Sequence, residues 1–147
     1  MKRRERTRIL VEGNPAVLER IAAEAVQAFG AETVKEPCEE LVMLKMRETS
    51  QRSLFYLGEA LMTTCCVRMQ ETLGYGMAFG ESHSKAYRLA VVDAAYASNS
   101  AECEARGWTA LIAEEGVRLE EKQQSQREAL LKTQVDFSTM EVEDDCK

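Results

Sequence analysis

The spacing of apolar residues changes several times along the chain, and each change predicts a different element. Asn14-Pro15 is a strong helix start, with asparagine as the cap and proline at the first helical position. Leu18, Ile21, Ala22, Ala25 and Phe29 follow at helical spacing, and Gly30 is placed to stop the run. This predicts an amphipathic helix over about 15–29. Ahead of it, residues 1–13 read as a basic arm or a short helix. Beyond it the period shortens. Glu32–Lys35 reads as a short strand before Pro37, and Leu41–Met46 as a strand mostly buried on both faces. Leu54–Leu57 is a further strand, with Gly58 marking a turn or bulge.

Strict alternation then sets in. Over Ala60–Met69, Leu61, Thr63, Cys65, Val67 and Met69 share one face of a strand, and Met62, Thr64, Cys66 and Arg68 share the other. In the next strand Leu73, Tyr75, Met77 and Phe79 line one face, and Gly74, Gly76, Ala78 and Gly80 the other. Glycine at every second position strips that face of side chains and lets another backbone come close. Gly74, Gly76 and Gly80 are therefore expected at a close packing contact, made by the following helix or by another subunit. That helix is predicted over about 82–98, and its middle, Leu89–Ala97, is apolar almost all round apart from Asp93. A buried carboxylate needs a partner, and neither Lys85 nor Arg88 is spaced as an obvious one-turn partner.

After Gly107 the pattern predicts a helix over Trp108–Glu114, a possible break at Gly116, and a polar helix over Val117–Thr133. The stretch Val135–Val142 alternates as a strand does, so Val135, Asp136, Phe137 and Met140 are expected to lie extended on a partner or in a groove. A helix, then strands, then helices indicates an α+β fold in a single domain. The expected architecture is an antiparallel sheet of about four strands packed with helices, a long polar C-terminal helix and an extended C-terminal tail. Its divisions are 1–13 for the arm, 14–134 for the core and 135–147 for the tail with its acidic end.

Charge and composition narrow the chemistry. The 147 residues carry a formal net charge of −6, which argues against nucleic acid as a partner. Lys2, Arg3, Arg4, Arg6 and Arg8 crowd one terminus and Glu141, Glu143, Asp144 and Asp145 the other; both ends are expected to be solvated. No apolar run approaches the roughly 20 residues of a membrane span, and the short run Ile9–Val11 makes no signal-peptide core, so a cytoplasmic protein without a membrane partner is expected. Five cysteines without regular spacing read as reduced thiols, several of them buried.

The candidate chemistry is sparse. The third glycine of Gly74, Gly76 and Gly80 arrives one residue too late for a dinucleotide fingerprint, and Lys85 stands too far from Gly80 for a P-loop. Cys65 and Cys66 point to opposite faces, and His83 is the only histidine, so no metal site is expected. Ser82, His83, Ser84 and Asp93 lie too close along one helix to favour a triad. What the residues allow is anion contact by His83 and Lys85 with the backbone N–H groups at the helix start. Two readings follow: a stand-alone anion-binding enzyme using His83, Lys85 and Asp93, or an adaptor whose tail adds a strand to a partner.

A resemblance favours a third. Arg52–Glu59, Val67-Arg68, Leu73–Gly76, Gly80, Ala90–Ala95 and Thr133–Met140, in this order and spacing, resemble the G subunit of the bacterial carbon–phosphorus lyase core complex, the PhnG family of phosphonate metabolism. The likeness runs from the Asn14-Pro15 helix to Met140 and leaves out the charged termini and Cys65-Cys66. It implies a subunit assembled with the H, I and J subunits, two copies of each, joined by an ABC-type ATPase-like partner. The assembly would let an alkylphosphonate displace adenine from C1 of the ribose of ATP, forming a ribose 1-phosphonate 5-triphosphate. The family's catalytic groups belong chiefly to the I and J subunits. No catalytic residue and no cofactor is therefore expected on this chain, with ATP a co-substrate of the complex.

Overall fold

In the computed structural model, which describes residues 1–133, Asn14 caps helix α2 (Pro15–Phe29) by accepting a hydrogen bond from the Ala16 N–H, and Gly30 ends it with φ +68°. The residues before it form helix α1 (Arg3–Glu12). Three strands follow, β1 (Glu32–Arg47), β2 (Leu54–Met69) and β3 (Thr72–Phe79), and then helices α3 (His83–Ser98), α4 (Ser100–Ala105) and α5 (Trp108–Lys132). The fold is α+β, with the strands in one antiparallel sheet of order β1-β2-β3.

Among the described residues the sheet has three strands where about four were expected, because neighbouring strand signals fuse. Pro37 does not end the first strand. It falls where the β1–β2 register shifts between Lys35 and Cys38, and β1 is an edge strand whose outer N–H groups need no ladder partner. Gly58 likewise sits at a shift, pairing with Leu44 just before Tyr56 pairs with Lys45, so β2 bends there without breaking. Gly116 does not interrupt the last helix either. A Cβ at that position would stand 2.9 Å from Ile9 Cδ1, so its missing side chain lets α1 settle against α5.

The core lies on one face of the sheet. Thr63, Cys65, Val67 and Met69 of β2 are buried there, and α3 covers them with Ala86, Ala90, Val91, Val92, Ala94 and Ala95. Leu18, Ile21 and Ala25 of α2 close over the far side of α3, which is thus buried around most of its circumference. Trp108 opens α5 inside this core. Its indole N–H donates to Glu24 Oε2 at 2.7 Å, and its ring meets Phe29 edge to face at 6.2 Å.

Candidate functional site

The glycines of β3 do two different jobs. Gly74 and Gly76 lie against α3 so closely that a Cβ would fall 2.2 Å from Ala94 N at the first and 1.9 Å from Ala86 O at the second. Helix and strand therefore touch through their backbones. Gly80 is different: a Cβ there would meet open space, and its φ of +66° marks a turn residue instead of a packing contact. Thr63 fastens that turn, donating to Gly80 O at 2.5 Å and accepting from the Ser82 N–H at 2.9 Å.

The turn delivers the start of α3. His83 Nε2 lies 3.3 Å from Glu39 Oε1 of β1, so a carboxylate already stands at this helix N-terminus. Lys85 points elsewhere, its ammonium donating to Val11 O at 2.7 Å at the end of α1. Asp93 is ten residues along the same helix from His83, about 15 Å at 1.5 Å per residue. The three residues of the stand-alone enzyme reading do not come together.

Asp93 is instead the centre of a structural junction. Its carboxylate receives Arg3 Nε at 2.8 Å and Nη2 at 2.6 Å, Arg6 Nη2 at 3.1 Å, and the backbone N–H of Tyr75 at 3.1 Å. Arg6 is buried and stacks on Tyr96, with its guanidinium carbon 4.2 Å from the ring centre. The hydrogen bonds and charge of Asp93 raise the pKa of Arg3 above its ordinary value. The basic N-terminus was expected to be solvated. Two of its arginines are spent here, because α3 carries a buried carboxylate that only a distant cation can neutralise.

No helix among the described residues covers the opposite face of the sheet. Tyr75, Met77 and Phe79 project from β3 into solvent, Phe79 with 67% of its surface exposed. Beside them Lys35 reaches both Glu40 and Thr64, a contact that lifts the lysine pKa and lowers that of Glu40. Cys65 and Cys66 do fall on opposite sides of the sheet, paired with Gly76 and Tyr75.

Beyond Phe79, which pairs with Met62, the sheet loses its third strand and becomes a two-stranded ribbon of β1 and β2. Leu41, Met43, Met46, Leu54, Phe55, Tyr56, Leu57 and Leu61 are all exposed, Leu41 at 66% and Tyr56 at 62%. Leu41–Met46 was expected to be mostly buried on both faces. Among the described residues it is apolar on both faces with Leu41, Met43 and Met46 exposed and Val42 and Leu44 half-buried, because β3 and α3 stop short of it. A two-stranded ribbon of this kind is marginal in water by itself.

Among the described residues no group of histidine, cysteine and carboxylate side chains is arranged to hold a metal ion, and no helix is long and apolar enough to cross a membrane. Val135, Asp136, Phe137 and Met140 lie outside the described residues. Sequence reasoning missed Arg3, Arg6, Thr63 and Glu39, whose partners are remote along the chain. Compared with known proteins, residues 1–142 match the family described as phosphonate metabolism protein PhnG. No curated protein matches the chain.

Proposed function

This chain belongs to the PhnG family of phosphonate metabolism proteins, and on that premise we propose that it is a non-catalytic subunit of the carbon–phosphorus lyase core complex. It assembles with the H, I and J subunits and, transiently, with an ABC-type ATPase-like subunit. The assembly transfers an alkylphosphonate to C1 of the ribose of ATP with release of adenine. The reacting groups lie on other subunits, and this chain binds no cofactor of its own.

The observation that supports this reading is the bare ribbon. Eight large apolar side chains stand exposed on one two-stranded projection, and tyrosine and phenylalanine are among the residues that dominate interface energetics. The stand-alone enzyme reading has no comparable support, since Lys85 and Asp93 are committed to α1 and His83 lies beside Glu39. In the complex the chain acts as a scaffold. Its α3–β3 contact is made backbone to backbone, and the ribbon reaches outward from it to hold neighbours in place.

The test is purification of the tagged chain from cells using methylphosphonate as sole phosphorus source. Three stoichiometric partners should co-purify, and adenine release from ATP should require the assembled complex. Turnover by the chain alone, abolished by His83→Ala, would overturn the reading.

A further inference from the structure

We propose that the outer edge of β1 pairs with the same edge of a second copy of this chain, antiparallel over residues 39–47, so that two three-stranded sheets become one sheet of six. The inference rests on the chemistry of this strand and stands apart from the phosphonate reading.

The two edges of the sheet differ. On the β3 edge the Tyr75 N–H donates to the Asp93 carboxylate, while α3 packs on the face of that strand at Gly74 and Gly76. At the β1 edge no strand is paired among the described residues. Natural sheets protect such edges with charge, proline or irregular register. The first half of β1 has all three: four glutamates (Glu32, Glu36, Glu39 and Glu40), Lys35, Pro37, and the register shifts on either side of Lys35. Leu41-Val-Met-Leu44 carries neither charge nor proline, and the next register shift falls after Leu44, with its extra residue on β2. Protection stops where the strand leaves the body of the protein.

Charge selects the occupant. Reading along the strand, Glu39 and Glu40 come first, four apolar residues follow, and then Lys45 and Arg47. Laid antiparallel on itself, this pattern brings the acidic end of each copy against the basic end of the other, twice. Centring the pair on Met43 sets Glu39 opposite Arg47, Val42 opposite Leu44 and Leu41 opposite Lys45. Glu39, Leu41, Met43, Lys45 and Arg47 share one face, as a two-fold axis perpendicular to a sheet requires. The chain's own tail is a poorer match. Residues 135–147 bring Val135, Phe137 and Met140 and then Glu141, Glu143, Asp144 and Asp145, with no cation before Lys147 to meet Glu39 and Glu40.

The test uses the full-length chain. On the two-fold axis Met43 faces its own copy, with Cβ atoms about 5 Å apart, near enough for a disulfide after small adjustment. Met43→Cys, in a chain also carrying Cys38→Ser and Cys146→Ser, should therefore form a reducible dimer under mild oxidation, while Tyr75→Cys in the same background should not. By sedimentation the unmodified chain should be dimeric and Met43→Lys monomeric with unchanged circular dichroism. Arg47→Glu should weaken dimerisation about tenfold or more, and adding Glu39→Lys should restore it. A monomeric unmodified chain, cross-linking no faster than that of Tyr75→Cys, or a dimer lost on deleting residues 134–147 would overturn the proposal. If Met43→Lys fails to fold, the cross-linking comparison decides alone.

Discussion

Arg3 meets Asp93 fork to fork, with Nε 2.8 Å from Oδ1 and Nη2 2.6 Å from Oδ2, across ninety residues of sequence. The pair ties the first helix of the chain to the middle of α3. Its two members are unequal, because the Arg3 side chain is 64% exposed while that of Asp93 is almost wholly buried.

Asp93→Ala should be far more damaging than Arg3→Ala. The first leaves the buried Arg6 guanidinium without its carboxylate and the Tyr75 N–H without an acceptor, a loss of about 3 kcal/mol or more. The second removes a largely solvated partner, and about 1 kcal/mol or less is expected. Urea denaturation of the two variants checks the order; equal losses would mean that Arg6 does not depend on Asp93.

Gly76→Ala should destabilise the protein by about 3 kcal/mol or more, since the new methyl would meet backbone that cannot give way. Gly80→Ala should cost about 1 kcal/mol, from its positive φ alone. Thermal melts of both variants test the division of roles within one glycine series.

Much of the fold was legible because it is written locally. Asn14, Pro15 and Gly30 mark α2 within seventeen residues, and Gly74 and Gly76 announce a bare strand face next to the helix that fills it. The Asp93 junction was not legible, because Arg3 and Arg6 are ninety and eighty-seven positions away and nothing local points to them. The ribbon misled for another reason. An unbroken apolar run such as Leu41–Leu44 looks the same whether it is covered by its own chain or by a neighbour, and pattern cannot tell who does the covering.

Phe55→Ser and Tyr56→Ser should change the stability of the isolated chain by no more than about 0.5 kcal/mol, because both side chains are exposed. In cells the same substitutions should reduce co-purification of partners, by about 2 kcal/mol of binding where the ring is an anchor. A pull-down beside a melt of each variant separates the two effects. Loss of stability without loss of partners would remove the ribbon from the interface.

Hydrogen bonds from Arg20 and from the Trp108 indole lower the pKa of Glu24. A carboxylate with a folded pKa below its unfolded one stabilises the fold above the unfolded value, near 4.3, and this contribution disappears as pH falls through the folded value. Glu24→Gln should therefore lose stability relative to the parent at pH 7, and the difference should shrink as the pH is lowered through the carboxylate range. Trp108, the only tryptophan, reports the transition by fluorescence.

Burial raises the pKa of Cys103 to about 11 and shifts that of Cys65 upward. Maleimide at pH 8 should consequently label Cys38 well before either of them in a Cys146→Ser chain. Because the folded state holds these thiol protons more tightly, their share of stability is intact below the ordinary thiol pKa of about 8.5 and is lost as pH rises towards 11. Alkaline denaturation monitored from pH 8 upward should begin earlier in the parent than in Cys103→Ala, once the two are matched at pH 7.

The carboxylate that takes the Tyr75 N–H also occupies a backbone donor on the outer edge of the sheet. A sheet with two unguarded edges can add copies end to end without limit, and the product is a filament. In the proposed dimer the two β1 edges are used up against each other, and the edge left outward is that of β3, where Asp93 holds the Tyr75 N–H. Asp93, besides anchoring Arg3 and Arg6, thus takes out of use one donor that strand addition at that outward edge would need.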